Sequence, residues 1–172
     1  MITIKTKRLQ IMPLNAKQLL LAVEDFQQLE QEIGVTVTRT KPDEELRYAM
    51  KVRRRKVLED EEHYLWLTNW AIVSADTNCI VGFIMLKGVP NDVGEVIIGY
   101  GIESEYRCKG YATEAVNGFI NWIFENPDVR YVIADTEKAN ISSHKVLIHN
   151  GAEQYRETDE LFWWRVKNPN IS

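Results

Sequence analysis

Cysteine, histidine, long apolar runs and an excess of positive charge are all scarce in this sequence, and each shortage excludes something. Cys79 and Cys108 form no spacing motif, so neither a disulfide framework nor a zinc–thiolate cluster is expected. In a reducing compartment both stay free thiols, and no histidine lies near Cys108 in sequence to activate it as a nucleophile. His63 is isolated, and His144 and His149 are spaced off a shared helical face, so no metal site is expected. No apolar run approaches the ~20 residues that span a bilayer. Met1-Ile2-Thr3-Ile4-Lys5 lacks the apolar core of a signal peptide, so the cytoplasm is the expected address and a membrane is not an expected partner. A net charge of −4 argues against a general nucleic-acid binder, which carries a basic excess.

What is present points to one globular domain over residues 1–172, with 45% hydrophobic and 27% charged residues and enough length for a full core. The chain is organised around Val93 to Glu125. Val93 to Ile102 is a short β-branched strand bounded by Asn91-Asp92 and Glu103-Ser104-Glu105. Tyr106-Arg107-Cys108-Lys109-Gly110-Tyr111-Ala112-Thr113 is a basic, glycine-containing elbow. After it Ala112, Ala115, Val116, Phe119, Ile120 and Ile123 recur at helical spacing, and the helix stops before Asn126-Pro127. A helix start leaves amide N–H groups without partners and carries the positive end of the helix dipole. Gly110 and Ala112 allow close approach to that backbone, and Arg107 and Lys109 add charge, so the elbow suits a phosphate or pyrophosphate. An ordinary strand-to-helix turn with solvated cations is the alternative. A P-loop is excluded because Thr113 has no lysine before it, and the dinucleotide fingerprint because its three glycines are missing.

The remaining chain reads as follows. Ile2 to Leu14 is a strand kinked near Thr6-Lys7, and Asn15 caps a helix running to about Glu32, with Leu19, Leu20, Val23, Phe26 and Leu29 inward. Gly34 breaks it. A second helix follows Lys41-Pro42-Asp43 and runs to about Glu59, with Leu46, Met50, Arg53 and Val57 along one stripe. Its basic run from Lys51 to Lys56 reads as a solvated face, because Glu59-Asp60-Glu61-Glu62 cancels much of the field. His63 to Ala75 and Cys79 to Lys87 form a strand pair about Asp76-Thr77-Asn78, with Gly82 a bulge or a close packing site. Val129 to Ala134 is a short strand that the crossover helix sets parallel to Val93–Ile102. A helix from about Asn140 to His149 exits at Asn150-Gly151. Ala152–Arg156 and Leu161–Val166 close the chain as a hairpin, a candidate surface for homodimer pairing.

Arg107-Cys108-Lys109-Gly110-Tyr111-Ala112 resembles the acyl-CoA loop of the GNAT acetyltransferases: Arg or Gln, two residues, Gly, one residue, Gly or Ala. Ile98-Gly99-Tyr100-Gly101-Ile102 before the loop and Thr113-Glu114-Ala115 after it are similar to the subgroup that acetylates ribosomal-protein N-termini. So are Asn140 to Leu147 with Asn150-Gly151-Ala152, and the first-strand block Thr6 to Leu14. The resemblance implies a single-domain α/β (α+β) GNAT fold with a mixed, mostly antiparallel sheet of about seven strands flanked by helices. It implies acetyl-CoA as co-substrate, with its pantetheine arm in a gap between the Val93–Ile102 strand and the next. Backbone groups of Gly101 and Ile102 would pair with that arm, and Asn140 would bond it. Amides of Cys108, Lys109, Gly110, Tyr111, Ala112 and Thr113 would cradle the pyrophosphate, with charge from Arg107 and Lys109, and Lys145 would reach the nucleotide end.

The implied reaction moves an acetyl group directly from the thioester to a primary amine, of a protein N-terminus or a small molecule. It requires a neutral amine, a polarised carbonyl and a proton for the leaving thiolate. A chain-terminal amine (pKa ~8) or a lysine amine (~10.4) is mostly protonated at neutral pH, so a carboxylate is wanted as base. Glu95 is the candidate. The resembled subgroup often carries its glutamate where Ile97 stands here, so Glu95 faces the same side about 7 Å farther along. A tyrosine used elsewhere in the family to protonate the thiolate is replaced by Leu147, which leaves the Ser143 hydroxyl as the candidate donor. Two rivals stand beside this reading: a non-catalytic acyl-CoA-binding regulator, and a nucleic-acid module using Arg53 to Lys56.

Overall fold

The computed structural model describes residues 2–171. Its strands join in one sheet of eight. The chain opens with β1 (Ile4–Lys5) and β2 (Leu9–Pro13), then α1 (Ala16–Glu24), α2 (Phe26–Ile33) and α3 (Glu44–Glu59). A short helix α4 (Tyr64–Leu67) leads into β3 (Asn69–Ser74), β4 (Cys79–Leu86) and β5 (Glu95–Ile102). The second half alternates: α5 (Tyr111–Ile123), β6 (Tyr131–Glu137), α6 (Ile141–His149), β7 (Glu153–Glu157) and β8 (Leu161–Lys167). The strand order is β1-β2-β3-β4-β5-β6-β8-β7, antiparallel throughout except for the β5–β6 pair. The kink expected near Thr6-Lys7 divides the first strand into β1 and β2, which takes the sheet from about seven strands to eight.

Two apolar layers sandwich the sheet. On one face Ile11, Trp70, Ile72, Ile84, Val96 and Ile98 pack against Ala115, Val116, Phe119, Ile120 and Ile123 of α5 and Leu147 of α6. On the other, Ala71, Val73, Ile80 and Phe83 pack against Leu19, Ala22, Phe26, Leu29, Met50 and Val57 of α1 to α3. Burying a large aliphatic or aromatic side chain contributes roughly 1.5–3 kcal/mol.

The caps follow the sequence. Asn15 accepts from the Gln18 amide while the Gln18 side chain accepts from the Asn15 amide, and Asp43 accepts from the Leu46 amide. Gly34 and Gly151 leave their helices in the left-handed region, at φ 79° and 81°. The β3–β4 ladder shifts register opposite Gly82, and a Cβ there would lie 2.2 Å from the Gly101 carbonyl oxygen, so Gly82 is both bulge neighbour and close-approach site.

Two expected elements come out differently. The helix from Asn15 to Glu32 is divided at Asp25, whose backbone is extended and whose side chain accepts from the Gln28 amide. A short carboxylate competing for backbone N–H groups starts a second helix there, which turns Phe26, Leu29 and Glu30 inward. The strand expected from His63 begins only at Asn69, because Glu61–His63 is a 3₁₀ turn and Tyr64–Leu67 is helical. Two of that turn's carbonyls are satisfied by side chains, Leu65 by the Trp70 indole (3.0 Å) and Leu67 by Arg53 Nη1 (3.3 Å), and the same Arg53 nitrogen also donates to Leu86 of β4 (3.1 Å). Burial lowers the Arg53 pKa from its ordinary value. Arg53 is thus withdrawn from the basic run Lys51–Lys56 and fixes α3 to β4.

Candidate functional site

The site is built around a parting of strands. Glu95, Val96 and Ile97 of β5 pair with Tyr131, Val132 and Ile133 of β6, and beyond that the two strands separate. On its other edge β5 stays paired with β4, Gly82–Leu86 against Ile102–Ile98. The Ile97 carbonyl accepts from the Lys87 amide (2.8 Å) and the Glu103 amide donates to the Val81 carbonyl (2.8 Å). Successive peptide groups of a strand point to opposite edges, so Gly99 and Gly101 turn theirs to β4, and Ile98, Tyr100 and Ile102 turn theirs to the gap. Of the two residues expected to pair with a ligand there, Ile102 presents backbone groups to the gap. Gly101 does not; what it offers is a missing side chain, with nothing within 4 Å of its Cβ position.

Tyr100 and Ser143 close the α6 side of the gap. Asn140 caps α6 by accepting from the Ser143 amide (3.3 Å), and the Tyr100 hydroxyl donates to the Ser143 carbonyl (3.5 Å). Burial pushes the Tyr100 phenol above its ordinary range, against a smaller lowering from Ser143, so it stays a proton-bearing group at neutral pH. Asn140 and Lys145 are exposed, and Ser143 is half-buried. Glu95 stands at the closed end of the gap, where its Oε1 accepts from the Asn91 amide nitrogen (3.1 Å). The gap opens just past Ile97, two residues along the same strand and roughly 7 Å away, so Glu95 reaches the near part of the opening only through water.

The elbow leads directly into α5. Ser104–Tyr106 makes one 3₁₀ turn, Cys108 has φ 64° and Gly110, at the helix boundary, φ 80°. Among the described residues no side chain caps α5, and the Glu114 amide bonds back to the Gly110 carbonyl (3.1 Å). The amides of Tyr111, Ala112 and Thr113 therefore form the open first turn. Arg107 lies back along the chain, its Nε donating to the Ile102 carbonyl (3.0 Å), and the Lys109 ammonium sits 5.9 Å from the Tyr106 ring centre.

Sequence reasoning missed a third cation here. Arg8 of the β1–β2 turn donates through Nη1 to the Lys109 carbonyl (2.8 Å), pairs through Nε with Glu114 (2.7 Å), and lies 4.7 Å from the Tyr111 ring centre. Its Nη2 is 3.2 Å from the Cβ position of Gly110. The Glu114 carboxylate also accepts from the Thr6 hydroxyl and the Arg8 amide. Burial alone would raise the Glu114 pKa, but the hydrogen bonds from Thr6 and Arg8 outweigh it and the net shift is downward. The only signal for Arg8 was its place inside the first-strand block, Thr6 to Leu14. Lys87 and Asp135 were missed as well. They meet across the open part of the gap, Nζ to Oδ2 3.9 Å. At the far end of the same face, burial and the neighbouring Asp43 push the Glu103 carboxyl above its usual range, with Arg107 opposing.

A family model described as an acetyltransferase (GNAT) domain matches residues 8–153. An uncharacterised N-acetyltransferase of Bacillus subtilis strain 168, YjdG, is 28% identical over 164 residues, which cover 95% of this chain and 97% of that protein. The crystal structure of ribosomal-protein-S5-alanine acetyltransferase from Vibrio fischeri superposes with a TM-score of 0.74 at 18% identity, over 100% of both chains. RimL, a ribosomal L7/L12 α-N-protein acetyltransferase in complex with coenzyme A, superposes with a TM-score of 0.66 at 12% identity, over 96% of this chain and 98% of that one.

Proposed function

The chain belongs to the GNAT acetyltransferase family, and from that premise we propose that it transfers an acetyl group from acetyl-CoA to the primary amine of a peptide N-terminus. The observation that carries the reading is the uncapped start of α5 beside the unpaired edge of β5. A diphosphate and a strand-like amide arm need those two features side by side. When bound, acetyl-CoA supplies an activated acetyl group as a thioester.

The remaining work falls to this chain. The open amides from Cys108 to Thr113 and the charges of Arg8, Arg107 and Lys109 hold the phosphates. Tyr100 offers its backbone N–H and C=O to the arm, Ile102 its N–H, since its carbonyl already accepts from Arg107 Nε, and Asn140 offers the amide nitrogen that its capping bond leaves unused. The Ser143 hydroxyl donates a hydrogen bond to the departing thiolate without ionising, and the thiolate takes its proton from solvent as it leaves, with Tyr100 holding the Ser143 carbonyl in place. Glu95 takes the amine proton through water. A peptide acceptor is supported by the names of the fold neighbours, which act on ribosomal proteins.

Calorimetry with acetyl-CoA, followed by a thiol-release assay with an alanine-starting peptide, tests the reading. Saturable heat with acetyl-CoA and peptide-dependent thiol release are expected. Folded protein that gives no heat would sink it.

A further inference from the structure

On the β5 face turned away from α5 and α6, Gly99 and Gly101 leave the strand bare beside the open part of the gap. Lys87 follows β4 and spans this floor. Its Cε lies 3.8 Å from the Cβ position of Gly99, and its ammonium ends 3.9 Å from Asp135 Oδ2 on β6. Asp135 is two residues beyond Ile133, the last β6 residue paired with β5, so it stands where the gap has just opened. Both side chains are solvated, at 45% for Lys87 and 27% for Asp135.

We infer that Asp135 receives the ammonium group of the acceptor amine, and that Lys87 Nζ keeps that place in the free enzyme. This rests on the acetyltransferase reading and names what that site selects: a cationic amine delivered on the glycine floor. A solvated pair at 3.9 Å is weak, so an incoming ammonium displaces Lys87 at small cost. The bare strand lets the amine lie against backbone at the gap's edge, where a side chain on Gly99 or Gly101 would stand in its way. Glu95 is not a rival for this place, since it sits at the closed end on Asn91. Glu103 closes the far end of the same face, but Arg107 already counters its charge.

The test uses the full chain with two probe amines, an alanine-starting peptide amide and spermidine. Acetyl-CoA affinity is measured first by calorimetry, so a failure of the acetyltransferase reading shows before any amine is added. Amine binding is then measured on the CoA-loaded protein, and KM and kcat by thiol release. Asp135→Asn should raise the dissociation constant and KM for the amine about tenfold or more, with acetyl-CoA affinity and melting temperature unchanged. Lys87→Met, which removes the internal competitor, should lower the amine KM about two- to threefold. Equal amine affinity in the parent and Asp135→Asn, including none in either, overturns the assignment. So does Lys87→Met weakening the amine as Asp135→Asn does, or Glu103→Gln producing the loss expected of Asp135→Asn.

Discussion

Two helices begin beside the gap, and they begin differently. At α6 the Asn140 side chain accepts from the Ser143 amide, so one exposed N–H of the first turn is satisfied within the chain. At α5 no side chain does so among the described residues. The boundary residue is Gly110, which has no side chain to offer, and the turn before it holds Cys108 in the left-handed region. The contrast extends down the chain, since α1, α2 and α3 are capped by Asn15, Asp25 and Asp43. A helix of thirteen residues left uncapped, in a protein that caps its other long helices, is open toward an anion. Three cations stand around α5's start, with Arg8 paired to Glu114 and Arg107 countering Glu103, which leaves Lys109 without an ion-pair partner among the described residues, whereas Lys145 is the cation of α6's first turns.

Making α5 begin like its neighbours is the most disruptive change. In Gly110→Asp a carboxylate would stand where the phosphates are expected, on a backbone that favours glycine and 3.2 Å from Arg8 Nη2 at its Cβ. Acetyl-CoA affinity should fall about a hundredfold by calorimetry, while circular dichroism keeps the helical signal. Removing the pin of the elbow comes next. Arg8→Ala loses the bond to the Lys109 carbonyl and one partner of Glu114, and should raise the acetyl-CoA dissociation constant about tenfold.

The same network gives a pH signature. Glu114 is held below its ordinary value, so its contribution to stability is complete above the unfolded carboxylate pKa of ~4.3. It is lost as pH falls through the lowered folded value. Between about pH 6 and about pH 3, the urea midpoint of the parent should fall farther than that of Glu114→Gln. An equal fall in both would remove Glu114 as a cause.

How much of this was readable in advance follows from sequence distance. Asn15, Asp43, Gly34, Gly151 and the apolar face of α5 depend on neighbours within a turn or so, and all stand where local rules put them. Several features that were missed depend on partners far along the chain: Arg8 meets Glu114 and Lys109, and Arg53 meets Leu86. Two others are local, the break at Asp25 and the Trp70 bond to Leu65, where short-range hydrogen bonds override the apolar periodicity and the aromatic strand propensity. Gly101 and Ile102 could be named from the motif, but which of them faces the gap depends on the register of β4 against β5. Asp135 did leave a trace, a carboxylate after the run Val132-Ile133-Ala134. Its meaning needed Lys87, which only the sheet order brings near.

A smaller effect is expected at the capped helix. Asn140→Ala removes the bond to the Ser143 amide and should cost about 1 kcal/mol in a urea titration. Because Asn140 is also proposed to meet the pantetheine, acetyl-CoA affinity should drop as well. Asn140→Ser, which keeps a cap, should recover the stability more fully than the affinity. Recovery of both in step would assign Asn140 to capping alone.

The smallest expected effect lies on the uncapped side, at Cys108. A left-handed backbone costs a residue with a Cβ about 1 kcal/mol, and glycine removes that cost. Glycine also enlarges the freedom of the unfolded chain, which returns roughly half or more of the gain. Cys108→Gly should therefore raise stability by a few tenths of a kcal/mol at most, seen as a small upward shift of the urea midpoint. Acetyl-CoA affinity should stay within about twofold of the parent, because what the elbow presents there is an amide and glycine keeps it. A large loss of affinity would instead show that the Cys108 side chain holds the elbow open, and the amides would cease to be a sufficient account of anion binding at this end of α5.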